Sequence, residues 1–299
     1  MSDEPEAIAE EQAAGTAESV EDAAASDPTS IDDARASGQA VERQPLPVTA
    51  QMVVLTVLVA TVFLMFLLIE PTPRWILVIG AVVVVLGTEG ALRSAWPDSF
   101  RRSGDTAPYI FLPALYIIAT PVLIEHNVRG GWVVLAGLAG SAGFGAMLLA
   151  SVGSVRPLAP VYQSSRVFAT VTAYFVAFAL FSLVYVLDLD LAPAIIAVAI
   201  VAVMLGIEVL REGEVDPIET LVFAGIAGLV VGQVRLLLWW FDLDTYLAGL
   251  TLLIAFFLVT GLLHAHLTRH LTRLTTIEHS AVAAIGIALV VVARTNGLA

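Results

Sequence analysis

The sequence has no cysteine, and no lysine either, so that all 14 of its basic residues are arginine. Without a thiolate, zinc–thiolate sites, disulfides and thioether attachment of haem are excluded. Without a lysine amine, Schiff-base chemistry on retinal, pyridoxal phosphate or a carbonyl substrate is excluded. Charge is scarce as well: 14% of residues are charged, against about a quarter in a soluble domain. A composition that is 58% apolar, with a mean hydropathy of +0.89, excludes a soluble enzyme.

The charge that remains is unevenly placed. Residues 1–44 hold 12 acids, from Asp3 to Glu42, opposed only by Arg35 and Arg43, and so carry −10 of the total of −13. This segment has almost no large apolar residue, and is predicted to be a disordered acidic cytoplasmic tail that cannot offset its own ordering entropy. It reads either as a solubilising linker or as a dock for a basic cytosolic partner. Its sign disfavours attraction to anionic headgroups, which select basic segments. Because 47 residues precede Val48, the first apolar run reads as a retained anchor rather than a secretory signal.

Residues 45–299 read as a transmembrane helical domain, and the fold class as an all-α polytopic bundle of about nine spans. The apolar runs predict spans at 48–69, 75–92, 108–125, 131–152, 166–187, 191–210, 217–240, 244–268 and 277–294. The ninth has its uninterrupted apolar stretch only from Ala281 to Ala293, so it crosses only with Glu278 and His279 at headgroup level. Alternating connections then place ten arginines on the N-terminal side (Arg35, Arg43, Arg93, Arg101, Arg102, Arg156, Arg166, Arg211, Arg269, Arg273) and three on the other (Arg74, Arg129, Arg294). By the positive-inside rule the N-terminus is cytoplasmic and the chain is a multi-pass protein of the cell membrane.

Two sets of four helices look duplicated. Leu86-Gly87-Thr88-Glu89 before Leu92-Arg93 is matched by Leu205-Gly206-Ile207-Glu208 before Leu210-Arg211, and Leu135-Ala136-Gly137-Leu138 by Leu247-Ala248-Gly249-Leu250. Asp105 and Pro108 correspond in the same chain order to Asp216 and Pro217. The expected repeats are 48–152 and 166–268, with 277–294 as an extra helix. An even number of helices per repeat gives both halves one orientation.

Few polar groups fall within the apolar runs. Glu89 with Arg93 and Glu208 with Arg211 have helical i, i+4 and i, i+3 spacing and read as ion pairs anchoring the cytoplasmic helix ends. His264, His266, His270 and His279 cluster near one helix end; His266 and His270 share a face, but with no carboxylate at a matching spacing they read as a headgroup band, and no metal is assigned. Asp188-Leu189-Asp190 and Asp242-Leu243-Asp244 could hold a divalent cation on a sugar diphosphate, yet their turns are short, and Asp190 and Asp244 read as N-caps. Gly137, Ser141 and Gly145, and likewise Ala224, Gly228 and Gly232, repeat small residues every four positions, which lets helix backbones approach closely.

Arg235 is the sharpest feature. It lies 18 residues after Pro217, about 27 Å along a helix at 1.5 Å per residue. Its plainer reading is snorkelling to outer headgroups beside Trp239 and Trp240, but steps of 100° put it on the face of Ala224 and Gly228, so that its stem is expected to start inside the bundle. Glu125, at a similar depth in the corresponding helix of the first repeat, is the expected ion-pair partner, with Gln233, Glu70 or His126 as neighbours. The leading functional reading is a transporter-like protein for a small solute or lipid. The alternatives are a non-catalytic assembly or scaffold protein and a lipid-modifying enzyme. No catalytic residue or cofactor is assigned, and the partners expected are the lipid bilayer, a small-solute or lipid ligand and a cytosolic partner for the tail, with no nucleic acid.

The arginine asymmetry yields a direct test, helped by the cysteine-free background. A cysteine introduced at Thr245 should react with an impermeant maleimide added from outside intact cells, and exclusive labelling from the cytosol would invert the topology.

Overall fold

A computed structural model describes residues 48–297 apart from 71–73, 98, 101–105, 156–159, 212–216 and 242. The acidic segment 1–44, with Asp105, Asp216 and Asp242, lies outside the described residues. Among those described there are nine α-helices and no strands: α1 (Val48–Leu68), α2 (Trp75–Ala95), α3 (Ala107–Asn127), α4 (Trp132–Gly153), α5 (Tyr162–Val186), α6 (Leu191–Leu210), α7 (Pro217–Leu238), α8 (Thr245–Leu267) and α9 (Arg273–Thr295). All nine are long and apolar enough to cross a membrane. Each agrees with a hydropathy run to within a few residues. The ninth begins at Arg273 rather than 277, because the Thr272 hydroxyl accepts from Thr275 N (3.2 Å) and starts the helix there. Asp244 caps α8 by accepting from Tyr246 N (3.2 Å). Asp190 occupies the N-cap position of α6 but makes no side-chain cap bond, and its neighbour Asp188 is left-handed at φ 47°.

Water cannot satisfy polar groups in a hydrocarbon layer, so hydroxyls bond back to their own helix. Thr56, Thr251 and Thr260 donate to Met52 O, Leu247 O and Phe256 O at 2.7–2.8 Å. Between helices, Tyr116 of α3 donates to Gly140 O of α4 (2.8 Å), and Trp96 Nε1, just after α2, donates to Val152 O of α4 (3.1 Å).

Helices α1 to α4 pack in a closed order, α1 on α2, α2 on α3, α3 on α4 and α4 back on α1. Helices α5 to α8 repeat that order, α5 on α6, α6 on α7, α7 on α8 and α8 back on α5. Contacts of α3 and α4 with α5, and of α3 with α6, join the two sets, while α9 packs on α8 alone.

Both small-residue stripes lie at helix seams. Gly137 and Gly145 of α4 face Leu67 and Thr56 of α1. On α7, Ala224, Gly228 and Gly232 face Gly206, Ala199 and Ile195 of α6, and this seam is the most extensive in the molecule. A Cβ on Gly228 would stand 2.7 Å from the Ala199 carbonyl oxygen and press on Val203. Backbone cannot yield as a side-chain tip can, so Gly228→Ala should cost about 1 to 3 kcal/mol. Gly225→Ala, on the same helix with open space around it, should be neutral, and equal thermal midpoints for the two variants in detergent would show that the α6–α7 seam is not close-packed.

Candidate functional site

The polar groups fall into three places. In the first half, the Arg93 Nε and Nη2 atoms donate to Glu89 Oε1 at 3.0 and 2.8 Å, with both side chains about one-third exposed. This is the i, i+4 pair expected from the spacing.

The second carboxylate pair is buried. Glu208 is 2% exposed, and its Oε1 receives Arg211 Nη2 at 2.7 Å and lies 3.5 Å from Arg166 Nη1. Arg166, at the start of α5, also donates from Nη1 and Nη2 to the carbonyls of Glu208 and Val209 (3.3 Å each), closing the C-terminal end of α6 where backbone acceptors lack helical partners. The Arg211 guanidinium lies flat on Tyr109 of α3, 3.4 Å from the ring centroid. Two guanidinium groups thus share one carboxylate oxygen, while Glu208 Oε2 and Arg211 Nε are buried without a hydrogen-bond partner. Glu208 and Arg211 were legible from sequence as a pair; Arg166, 42 residues earlier, carries no local signal that it joins them.

Arg235 is buried at 4% exposure, on the inward face that the 100° steps predict. Its partner is not Glu125. Its guanidinium lies over Tyr185 of α5, 4.4 Å from the ring centroid, and its Nε has no hydrogen-bond partner. Glu125 is exposed near the end of α3 and makes no ion pair with Arg235. The reason is packing order: α3 touches α5 and α6 but not α7, and neighbouring Asn127 accepts from Tyr246 at the start of α8 (2.6 Å). Gln233, two residues before Arg235 and so on another face of α7, is exposed, as is Glu70. His126 bonds its own helix at Val122 O. Trp239 and Trp240 are exposed, without Arg235 beside them at the surface.

The third place is a cavity of about 890 Å³ bounded by α5, α8, the start of α9 and the end of α6. Arg166, Gln163 and Tyr162 line it from α5, and His264, Thr268 and His270 from α8 and the connection that follows. Thr275 and His279 line it from α9. The four histidines therefore divide: three face the cavity, and His266 packs edge-on against Phe223 of α7. No group of three His, Cys, Asp or Glu side chains placed to hold a metal occurs among the described residues. His279 is held by a bond from Nδ1 to Thr275 O (2.9 Å) and stacks on Phe257 at 5.6 Å and 19°. Its ring fits there because position 261 is glycine, where a Cβ would collide with the imidazole. The floor is aromatic: Tyr174 shares a hydrogen bond with Thr260 (3.3 Å) and meets Phe256 and Phe257 edge-on. Beyond that floor a second cavity of about 290 Å³ shares Tyr174 and Phe257 as walls, and is otherwise lined by Leu253, Ile254, Val282, Ala283 and Gly286.

Nine membrane-length helices among the described residues define a multi-span membrane protein. The chain belongs to the DUF5656 family, described as a protein of unknown function, whose profile matches residues 53–293 and so takes in most of the helical region. No curated protein and no solved structure matches it.

The burial difference between the two carboxylates sets a measurable contrast. Glu208→Gln leaves Arg166 and Arg211 without their shared counter-charge and should lower stability by about 3 to 5 kcal/mol. Glu89→Gln, at a partly solvated pair, should cost under about 1 kcal/mol. Equal losses in thermal unfolding of the purified protein would place both pairs in the same environment.

Proposed function

We propose that this protein is transporter-like, admitting a lipid-like amphiphile or small solute into the cavity between α5, α8 and α9. The observation that carries the reading is the adjacency of two environments: a cavity with a polar mouth at Arg166 and three histidines, and an apolar cavity on the other side of Tyr174 and Phe257, which line both. Binding sites with a few placed polar groups over an apolar body are the general form of small-molecule pockets. Helix alternation together with the arginine asymmetry supports a cytoplasmic N-terminus in a cell membrane and, with it, a cytoplasmic opening for this mouth.

A duplicated four-helix unit fits this reading, since repeat interfaces are common sites in transporters. It is supported by the matching packing order of α1–α4 and α5–α8. It is supported too by Gly137 and Gly249, which occupy the matched motifs and face α1 and α5 respectively, at Leu67 and Ser182. The halves have then diverged: the carboxylate pair is about one-third exposed in one and buried under an added arginine in the other.

The test is purification in native lipid followed by mass spectrometry of what is retained. An amphiphile or solute should remain bound to the full-length chain and be depleted in Val171→Trp, which fills the mouth from an exposed position on α5. It should be retained in Val53→Trp, an exposed position on α1. Equal retention in both variants would overturn the reading. Recovery of a protein partner that is lost on removing residues 1–44, with no small molecule retained, would favour an assembly role instead.

A further inference from the structure

Helix α7 turns two polar residues in opposite directions. Arg235 faces inward, and Gln233, two residues earlier and so about 200° away at 100° per residue, faces straight out of the bundle and is exposed. Its amide makes no hydrogen bond among the described residues. It lies 16 residues after Pro217 and six before Trp239, about 24 Å and about 9 Å along the axis. Arginine and lysine reach headgroups from such a depth on long stems, but glutamine is shorter. Side chains of a helix also lean toward its N-terminus, which for Gln233 is away from the nearer membrane surface. An amide so placed meets hydrocarbon, where its donors and acceptor go unsatisfied.

Gln233 does not stand alone on this face. Val222, Ile226, Leu229, Gln233 and Leu236 follow one another at steps of four, three, four and three, the heptad spacing of helices that wind on each other. All five are exposed. Helix α7 packs on α6 and α8 alone, so among the described residues nothing in this chain covers the stripe. In paired helices, one polar residue in an otherwise apolar heptad stripe sets the register and the number of partners.

We propose that this face of α7 is a self-association surface whose occupant is α7 of a second copy of this chain. Two copies in one membrane share an orientation, so a two-fold axis along the membrane normal sets α7 beside α7 in parallel, with the partner's Gln233 at the same depth. An amide both donates and accepts, so two of them satisfy each other, whereas a lipid tail offers neither group. Symmetry supplies the matching amide without a second sequence. The pairing is independent of the cavity, which α7 does not line, and it leaves the α6–α7 seam untouched, so substitutions on this face keep each copy folded.

The chain has no cysteine, and single introduced cysteines therefore report contacts directly. In native membranes treated with copper phenanthroline, Leu229→Cys and Leu236→Cys should give a disulfide-linked dimer of the full-length chain. Val57→Cys on α1 and Ile285→Cys on α9, also exposed, should not. Affinity is read by energy transfer between chains labelled at Asn296→Cys and diluted in phosphatidylcholine vesicles. Gln233→Leu should weaken association about 3- to 30-fold, the range of one interhelical polar contact in a membrane. Gln233→Asn, which keeps the amide, should retain most of it, and both variants should melt like the native chain in excess detergent.

Association as tight in Gln233→Leu as in the native chain would overturn the proposal, since the stripe would then hold without the amide. Dimers cross-linked through Val57→Cys or Ile285→Cys but not through Leu229→Cys would overturn it by placing the interface elsewhere. A Leu229→Cys adduct with a protein of different mass would replace the second copy with another partner. No adduct, with no energy transfer at any dilution, would leave the stripe to lipid and overturn the proposal as well.

Discussion

The structure depends on how a chain with so few charges satisfies each of them away from water. A buried ion needs a counter-charge, a π face or backbone dipoles, since leaving it bare costs several kcal/mol. Glu208 draws on two guanidinium groups from different helices, Arg211 on the face of Tyr109, and Arg166 on the open carbonyls of α6. These three contacts tie α3, α5 and α6 together at one end, and that tie also fixes one side of the cavity mouth, because Arg166 and Val209 line it. Displacing α5 there would break the ion cluster and reshape the cavity in one movement.

Packing does the rest through shape rather than hydrophobicity, because lipid tails are as apolar as the side chains they would replace. Helices α6 and α7 approach until Gly228 meets the Ala199 carbonyl. That contact carries the inward face of α7 down to Arg235, which is why its guanidinium finds an aromatic ring of α5 rather than headgroups. An arginine held by a π face and no carboxylate is stabilised less than one in an ion pair. The two ends of the second half therefore differ in how firmly their charge is held, with Glu208 cross-linked and Arg235 resting on one ring.

Features that depend on a single helix were legible in the sequence. Hydropathy gives the nine spans, the 100° step turns Arg235 inward, and i, i+4 spacing pairs Glu89 with Arg93. Features that depend on which helices are neighbours were not. The expected Glu125 partner rested on equating α3 with α7, but helices equated by motif need not touch, and in the second set of helices α5 and α6 are what α3 meets. Tyr185 could not be singled out, since it is one of seven aromatics in an apolar helix and each reads as packing. The cavity was hidden for the same reason: its histidines sit in one stretch of sequence, but Arg166, Tyr174 and Val209 come from two other helices. The division of His264 from His266 follows from helix phase around α8, once the side of α8 that meets α5 is known, whereas His270 and His279 come from the connection and from α9.

The ninth helix settles how the cavity can be reached. It is the least buried of the nine and touches α8 only. Yet it supplies Thr275 and His279 to the mouth and Val282, Ala283 and Gly286 to the inner wall. A wall held along one edge leaves the other edge as an opening, and that edge faces α5 at the level of Phe257 and Tyr174. His279, bonded within α9 and stacked on Phe257 of α8, is a ring contact between the two helices beside the opening. The glycine at position 261 that admits this ring thus does more than relieve a clash, because it sets how close α9 stands to α8 and so how wide the gap toward α5 remains. A helix placed this way exposes the apolar half of the cavity to whatever surrounds the bundle, while the polar half stays behind the ion cluster of Arg166 and Glu208.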